Sequence, residues 1–215
     1  MGLVRRRHPM ALALVVIGVL AGSAAAAAEK KPLPDYFPLR VKDWWQYRST
    51  QAAGTTSEFR LTVVSEEKQP NGTLRSCIEL TNPSPLIRDW YTKTPAEVVL
   101  NEEEYLGGGG KVALDPPRPM LRYPLAAGAS WGWSGTARSN TQVEEKSRVA
   151  GAEKVEVPAG RFDAMKIVTE IQQGGAWATK TSWFAPGVGL VRQATESNGV
   201  SSVTELLDYS FQPKR

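Results

Sequence analysis

The stretch "SWFAPGVGLV", Ser182 to Val191, decides how the rest of the chain is read. As a glycine-rich loop it would point to a ligand; as the corner of a hairpin it points to a β fold. Pro186 and Gly187 fit the two central positions of a type II turn. Proline presets a φ of about −65°, and glycine then supplies the positive φ that the next position requires. Trp183 and Phe184 end one strand, one residue on each face, and Leu190 and Val191 begin the next in the same manner. Gly189 leaves room for a bulge or for close approach of another backbone. The stretch reads as a hairpin corner.

The same logic extends outward. In "EFRLTVV" (Glu58 to Val64) Phe59, Leu61 and Val63 alternate with polar residues, which sets one apolar face on a strand. "TLRSCIELT" repeats the pattern with Leu74, Ile78 and Leu80, and Asn71-Gly72 between the two is a hairpin signal. Asn71-Gly72-Thr73 also matches a glycosylation acceptor, but the turn is the favoured reading. "FDAMKIVTEI" groups Met165, Ile167 and Ile171. "SVTELLDYSF" groups Val203, Leu207, Tyr209 and Phe211, with Glu205 as the exception. The best helical candidate, "TPAEVVLNEEEYL", has two adjacent valines and reads as strand. The expected class is mainly antiparallel β, as a curved sheet, an open barrel or a two-sheet sandwich.

Internal echoes refine this. "FPLRVKDWWQY" (Phe37 to Tyr47) aligns without gaps on "YPLAAGASWGW" (Tyr123 to Trp133), and "DWYTKTPAEVVL" echoes "SWFAPGVGLV" more weakly. The expectation is a single β domain over residues 36–213, after a short linker at 29–35. Two related meanders, about 36–106 and 120–213, would build it, joined through a linker at 107–119 that holds "GGGGKVALDPPRP".

The "VPAGRFDAMKI" and "WFAPGVGLVRQ" segments together resemble a family of exported bacterial proteins that carry a domain of unknown function. That family shares PAG-x-FD-x-x-K followed by W-[FY]-A-P-G-V-G-L-V. The matching residues are Pro158, Ala159, Gly160, Phe162, Asp163 and Lys166, then Trp183 to Val191. The resemblance is firmest from Val155 to Gln193. It implies an envelope-associated β domain and brings no catalytic residues with it.

Residues 1–28 follow the plan of a secretory signal peptide: Arg5, Arg6 and Arg7, an apolar stretch from Met10 to Leu20, then an alanine run. "LAGS" (Leu20 to Ser23) resembles the lipid-attachment box of bacterial lipoproteins. Ser23 stands where the modified cysteine belongs, and a hydroxyl cannot form the thioether. The expected destination is periplasmic or extracellular, without a lipid anchor and without a membrane span after cleavage. The three arginines leave with the signal, so the net charge falls from +4 to +1 and gives nucleic acid no electrostatic footing.

The only histidine, His8, leaves too, and Cys77 is the only cysteine. The mature chain therefore has no disulfide and lacks the parts of a Ser-His-Asp, Cys-His or histidine-ligated zinc site. No metal and no cofactor are expected. "GGGGK" (Gly107 to Lys111) departs from a phosphate loop, with Tyr105 and Val112 in the positions that need glycine and Ser or Thr. In "VPAGRF", Pro158 and Gly160 fit a turn without invoking a ligand. The acids Glu66, Glu67, Glu102 to Glu104, Glu144 and Glu145 read as solvated strand ends and edges. Cys77 is expected on the face opposite Ile78, either as an exposed thiol or buried under other groups, and burial is the commoner state.

Seven tryptophans remain. Most are expected to anchor the core. A ligand or partner surface would draw on Trp44, Trp45, Tyr47, Trp90, Trp131 and Trp133. Adjacent strand residues face opposite ways, so one of Trp44 and Trp45 must lie partly exposed. The structural turns are Pro158, Gly160, Pro186, Gly187 and Gly189. The expected function is an exported, non-enzymatic β domain that binds or supports an envelope protein or glycan. One alternative is a carrier of an apolar or lipid-like ligand in an open barrel. A carboxylate-based hydrolase acting on envelope glycans is the other.

Overall fold

The computed structural model describes residues 33–137 and 141–211. The expected signal at 1–28 and most of the linker at 29–35 lie outside them. Twelve strands follow in order. The first six are β1 (Trp44–Gln51), β2 (Thr56–Lys68), β3 (Leu74–Thr81), β4 (Pro85–Lys93), β5 (Glu97–Tyr105) and β6 (Gly110–Arg122). The second six are β7 (Ser130–Ala137), β8 (Thr141–Val157), β9 (Gly160–Gln173), β10 (Ala176–Ala185), β11 (Gly189–Ser197) and β12 (Val200–Tyr209). They form one antiparallel sheet, in the order β6-β5-β4-β3-β2-β1-β12-β11-β10-β9-β8-β7. The class expected from the alternating pattern is the class observed. The sheet curls into a nearly closed barrel with one unsealed seam, where β6 meets β7.

Each half is a six-strand meander, and the halves join where β1 pairs with β12. The first echo falls on β1 and β7. The second falls on the β4–β5 and β10–β11 corners. Both are offset by six strands. The stretch at 107–119 is no linker: it holds a tight turn and most of β6. Its prolines allow this because β6 is an edge strand, whose outer N–H groups have no ladder partner to lose.

The seam is held by side chains. Trp131 donates its indole N–H to the Pro119 carbonyl at 3.3 Å, and Trp133 donates to that of Pro116 at 2.8 Å. Pro116, Pro117 and Pro119 have no N–H, so this run of β6 has few donors for a backbone ladder. The Trp133 ring lies over Gly135, where any Cβ would sit 2.3 Å from the ring.

The barrel interior is the core. Phe59, Leu61 and Val63 of β2 all join it, and Val63 is fully buried. The grouping of Leu74 with Ile78 fails at the strand end, where Leu74 is 45% exposed. The grouping in β12 also needs correction. A register shift between Gln46 and Tyr47 sets Tyr47 opposite Leu206 and Trp45 opposite Tyr209. Leu206 is thereby wholly buried in place of the expected Leu207, because a bulge moves every residue before it to the other face.

Candidate functional site: the barrel lumen

The hairpin corner at Ser182–Val191 is where the site begins. Gly187 has a φ of +74°, and the Val188 N–H closes the turn on the Ala185 carbonyl at 3.2 Å. Gly189, at φ +96°, is approached by Pro38: a Cβ there would meet Pro38 Cδ at 3.4 Å. The neighbouring register shift between Trp183 and Phe184 supplies the bulge. Two inward residues of β1 are tied to this corner. The Trp45 indole N–H donates to the Val188 carbonyl at 2.7 Å, and the Tyr47 hydroxyl donates to that of Leu190 at 2.8 Å. The Pro158–Ala159 turn is of the two-residue kind, with Val157 paired to Gly160.

A segment ahead of β1 crosses this end of the barrel. The Gly187 N–H donates to the Asp35 carbonyl at 2.6 Å. From the opposite wall, the Lys93 ammonium donates to Asp35 Oδ1 at 2.7 Å and to the Phe37 carbonyl at 2.9 Å. Phe37 packs on Tyr91 of β4 (ring centroids 5.2 Å) and on Phe184 of β10 (6.5 Å). β4 and β10 lie six places apart in the sheet. One phenyl ring touching both therefore spans the lumen. Asp35, assigned to the linker, is an anchor of this strap.

Inside lies a cavity of about 140 Å³. Phe37, Trp45, Tyr47, Ile78, Tyr91 and Phe184 supply apolar wall. Asp89, Arg118, Glu145, Thr169, Lys180 and Gln193 supply polar wall. These polar residues come from period-two alternation in strands that the apolar residues also occupy. Lys180, Ser182 and Phe184 share the inner face of β10, and Asp89 and Tyr91 that of β4.

The charges have distinct fates. Arg118 donates through Nε to Glu145 Oε2 at 2.9 Å and through Nη2 to Oε1, a two-pronged pair in which Glu145 is only 6% exposed. Mutual neutralisation makes burial of the two tolerable. Glu145 is thus no solvated edge carboxylate: the alternation of β8 turns it inward, and Arg118 comes from across the seam to meet it. Asp89 accepts a bond from the Tyr91 hydroxyl at 3.2 Å, while among the described residues its Oδ1 has no partner. Burial raises its carboxyl to about 6, Glu103 adds to the rise, and the Tyr91 bond and Arg118 oppose it.

Lys180 is the exception. Among the described residues it makes no hydrogen bond and no ion pair. It pairs across the sheet with Thr169 on one side and Thr195 on the other. Burial pushes its ammonium down to about 8, helped by the Arg118 charge and opposed by Glu145. Nothing in composition singled out this lysine. The available signal was its place two residues before Ser182 and four before Phe184, on the inward face.

The remaining sequence candidates divide by face. Trp45 and Tyr47 line the lumen. Trp131 and Trp133 are committed to the seam. Trp44 and Trp90 are half-buried on the outer face, each covered by a guanidinium: Arg60 lies 4.3 Å above Trp44, and Arg75 lies 4.5 Å above Trp90. Neither makes a bare aromatic patch. Cys77, paired with Trp90 in the ladder, is 1% exposed, and burial pushes its thiol up to about 11. Among the described residues no cluster of three or more His, Cys, Asp or Glu side chains could hold a metal ion. No helix there is long and apolar enough to cross a membrane.

The DUF3108-like family model matches residues 134–206, about a third of the chain, and this span contains the Val155 to Gln193 segment. No curated protein matches. Two crystal structures share the fold. One is a candidate lipoprotein from Parabacteroides distasonis, 16% identical, with a TM-score of 0.54 over 83% of this chain and 99% of that one. The other is a candidate exported protein with a YmcC-like fold from Bacteroides fragilis, 14% identical, with a TM-score of 0.50 over 82% of this chain and 99% of that one. At this identity the likeness concerns the fold alone.

Proposed function

We propose that the protein is an exported, non-enzymatic binding domain of the bacterial envelope whose barrel lumen holds a small ligand with an apolar part. The observation that carries this is the aromatic-lined cavity beneath the Phe37 strap. Well-packed interiors leave few voids larger than a water molecule, so an interior space of about 140 Å³ needs a reason. It is close to the roughly 150 Å³ in which a buried benzene ring fits. The carrier alternative thereby gains on the glycan-supporting one, since the outer tryptophans are covered by arginines. The hydrolase alternative loses ground, because Glu145 is engaged by Arg118 through both oxygens. The exported and lipoprotein descriptions of the two similar structures fit an envelope setting. Native mass spectrometry of protein purified from its own host tests the reading: a bound small molecule is expected, and bare polypeptide alone would overturn it.

A further inference from the structure

Among the described residues Lys180 makes no ion pair, although it lines the same cavity as Asp89, Arg118 and Glu145. The charges acting on it are those of Arg118 and Glu145. That pair is mutually neutral, so Lys180 has no counterion beside it, and among the described residues Asp89 supplies the one other charge of the cavity wall. Asp89 and Glu103 stand on the β4–β5 wall and do not figure among the charges acting on Lys180. Hydroxyl and amide groups line the same region: Ser147 and Thr169 bond each other at 2.9 Å, and Ser182 donates to Gln193 at 3.4 Å. A protein that needed only packing there would place methionine at this position, since a half-buried ammonium without a partner is costly and an apolar chain is not.

We infer that the lumen recognises a small single-chain amphiphile with one negative charge, its carboxylate-like head on the Lys180 ammonium and its tail among Phe37, Trp45 and Phe184. The inference rests on the binding role proposed above and specifies the ligand class. The head brings a counter-charge to Lys180, and whichever of Ser147 and Thr169 accepts in their mutual bond keeps an O–H to donate to the head's second oxygen. The tail packs on the apolar wall of the cavity. The cavity volume limits the enclosed part to a few carbons, about the size of hexanoate.

The test titrates the full chain with hexanoate, 1-hexanol and acetate at pH 7, following the methyl NMR signals of Ile78 and Ile167, both on the cavity wall. A charge-assisted bond predicts that hexanoate binds about tenfold or more tightly than hexanol. Lys180→Met should erase that preference, so that hexanoate binds no more tightly than hexanol. Equal binding of hexanoate and hexanol by the unaltered protein would overturn the anion inference and leave the apolar carrier standing. Acetate binding as tightly as hexanoate would overturn the amphiphile. No shift with either six-carbon ligand would overturn the carrier reading itself.

Discussion

Replacing Lys180 by methionine should make the protein more stable, and the gain should depend on pH. The ammonium sits at about 8 against the usual 10.5. At roughly 1.4 kcal/mol for each tenfold, that difference corresponds to about 3 kcal/mol, an upper figure because water in the cavity screens the charge. Below pH 8 the lysine is charged in both the folded and unfolded chains, so the folded state carries the full penalty. Between pH 8 and 10.5 the unfolded chain holds the proton and the folded one does not. Stability of the unaltered protein therefore rises through that window. Methionine is unbranched and one atom shorter, carries no charge and removes the slope. Urea unfolding at pH 7 should show Lys180→Met more stable by up to about 3 kcal/mol, and the difference should shrink toward zero by pH 10 and above. Comparing the two proteins cancels every other titration. A variant less stable than the parent at pH 7, or a difference that does not change with pH, would refute the account of Lys180 as a half-buried cation without a partner.

Other consequences are equally direct. Gly187→Val forces a β-branched residue to a φ of +74° and should lower stability by about 1–2 kcal/mol in a thermal or urea melt; an unchanged midpoint would contradict the turn. Trp133→Phe keeps an aromatic ring but removes the N–H that meets the Pro116 carbonyl. It should cost about 1–3 kcal/mol and speed amide exchange in β7 relative to β3, whereas uniform exchange would mean that the indole bond does not hold the seam. Cys77, buried and with its thiol raised to about 11, should resist iodoacetamide at pH 8 in the folded protein and react in urea. Rapid labelling of the native chain would show that its cover is open.

Much of this architecture was legible in the pattern of residues. The period of two marked the strands, and glycine and proline marked their corners, since both act through local sterics that any short peptide carries. The 107–119 stretch misled because four glycines and a run of prolines are also how loops look. Whether Pro116 and Pro119 interrupt a ladder depends on the neighbouring strand, and here β7 offers tryptophan indoles. The acidic runs misled for a related reason. Glu144 and Glu145 are adjacent and chemically alike, yet one faces water and the other faces Arg118. The lumen was the least legible feature. Trp45 and Tyr47 were among the candidates, but Lys180 and Arg118 were not, because a lysine or arginine on a strand is ordinarily outside.

By itself the sequence determined the antiparallel β class, the hairpin corners, the aromatic inner face and the lack of histidine beyond residue 8. Each follows from chemistry confined to a residue or its near neighbours. Tertiary structure alone decided between barrel and sandwich, because alternation creates an inner face in either, and a lumen forms only where β1 pairs with β12 to make one sheet and its ends, β6 and β7, meet at the seam. It also decided which polar side chains share that lumen. Phe37 and Phe184 meet across 147 positions and Arg118 and Glu145 across 27, and such meetings depend on closure and register rather than on any local preference.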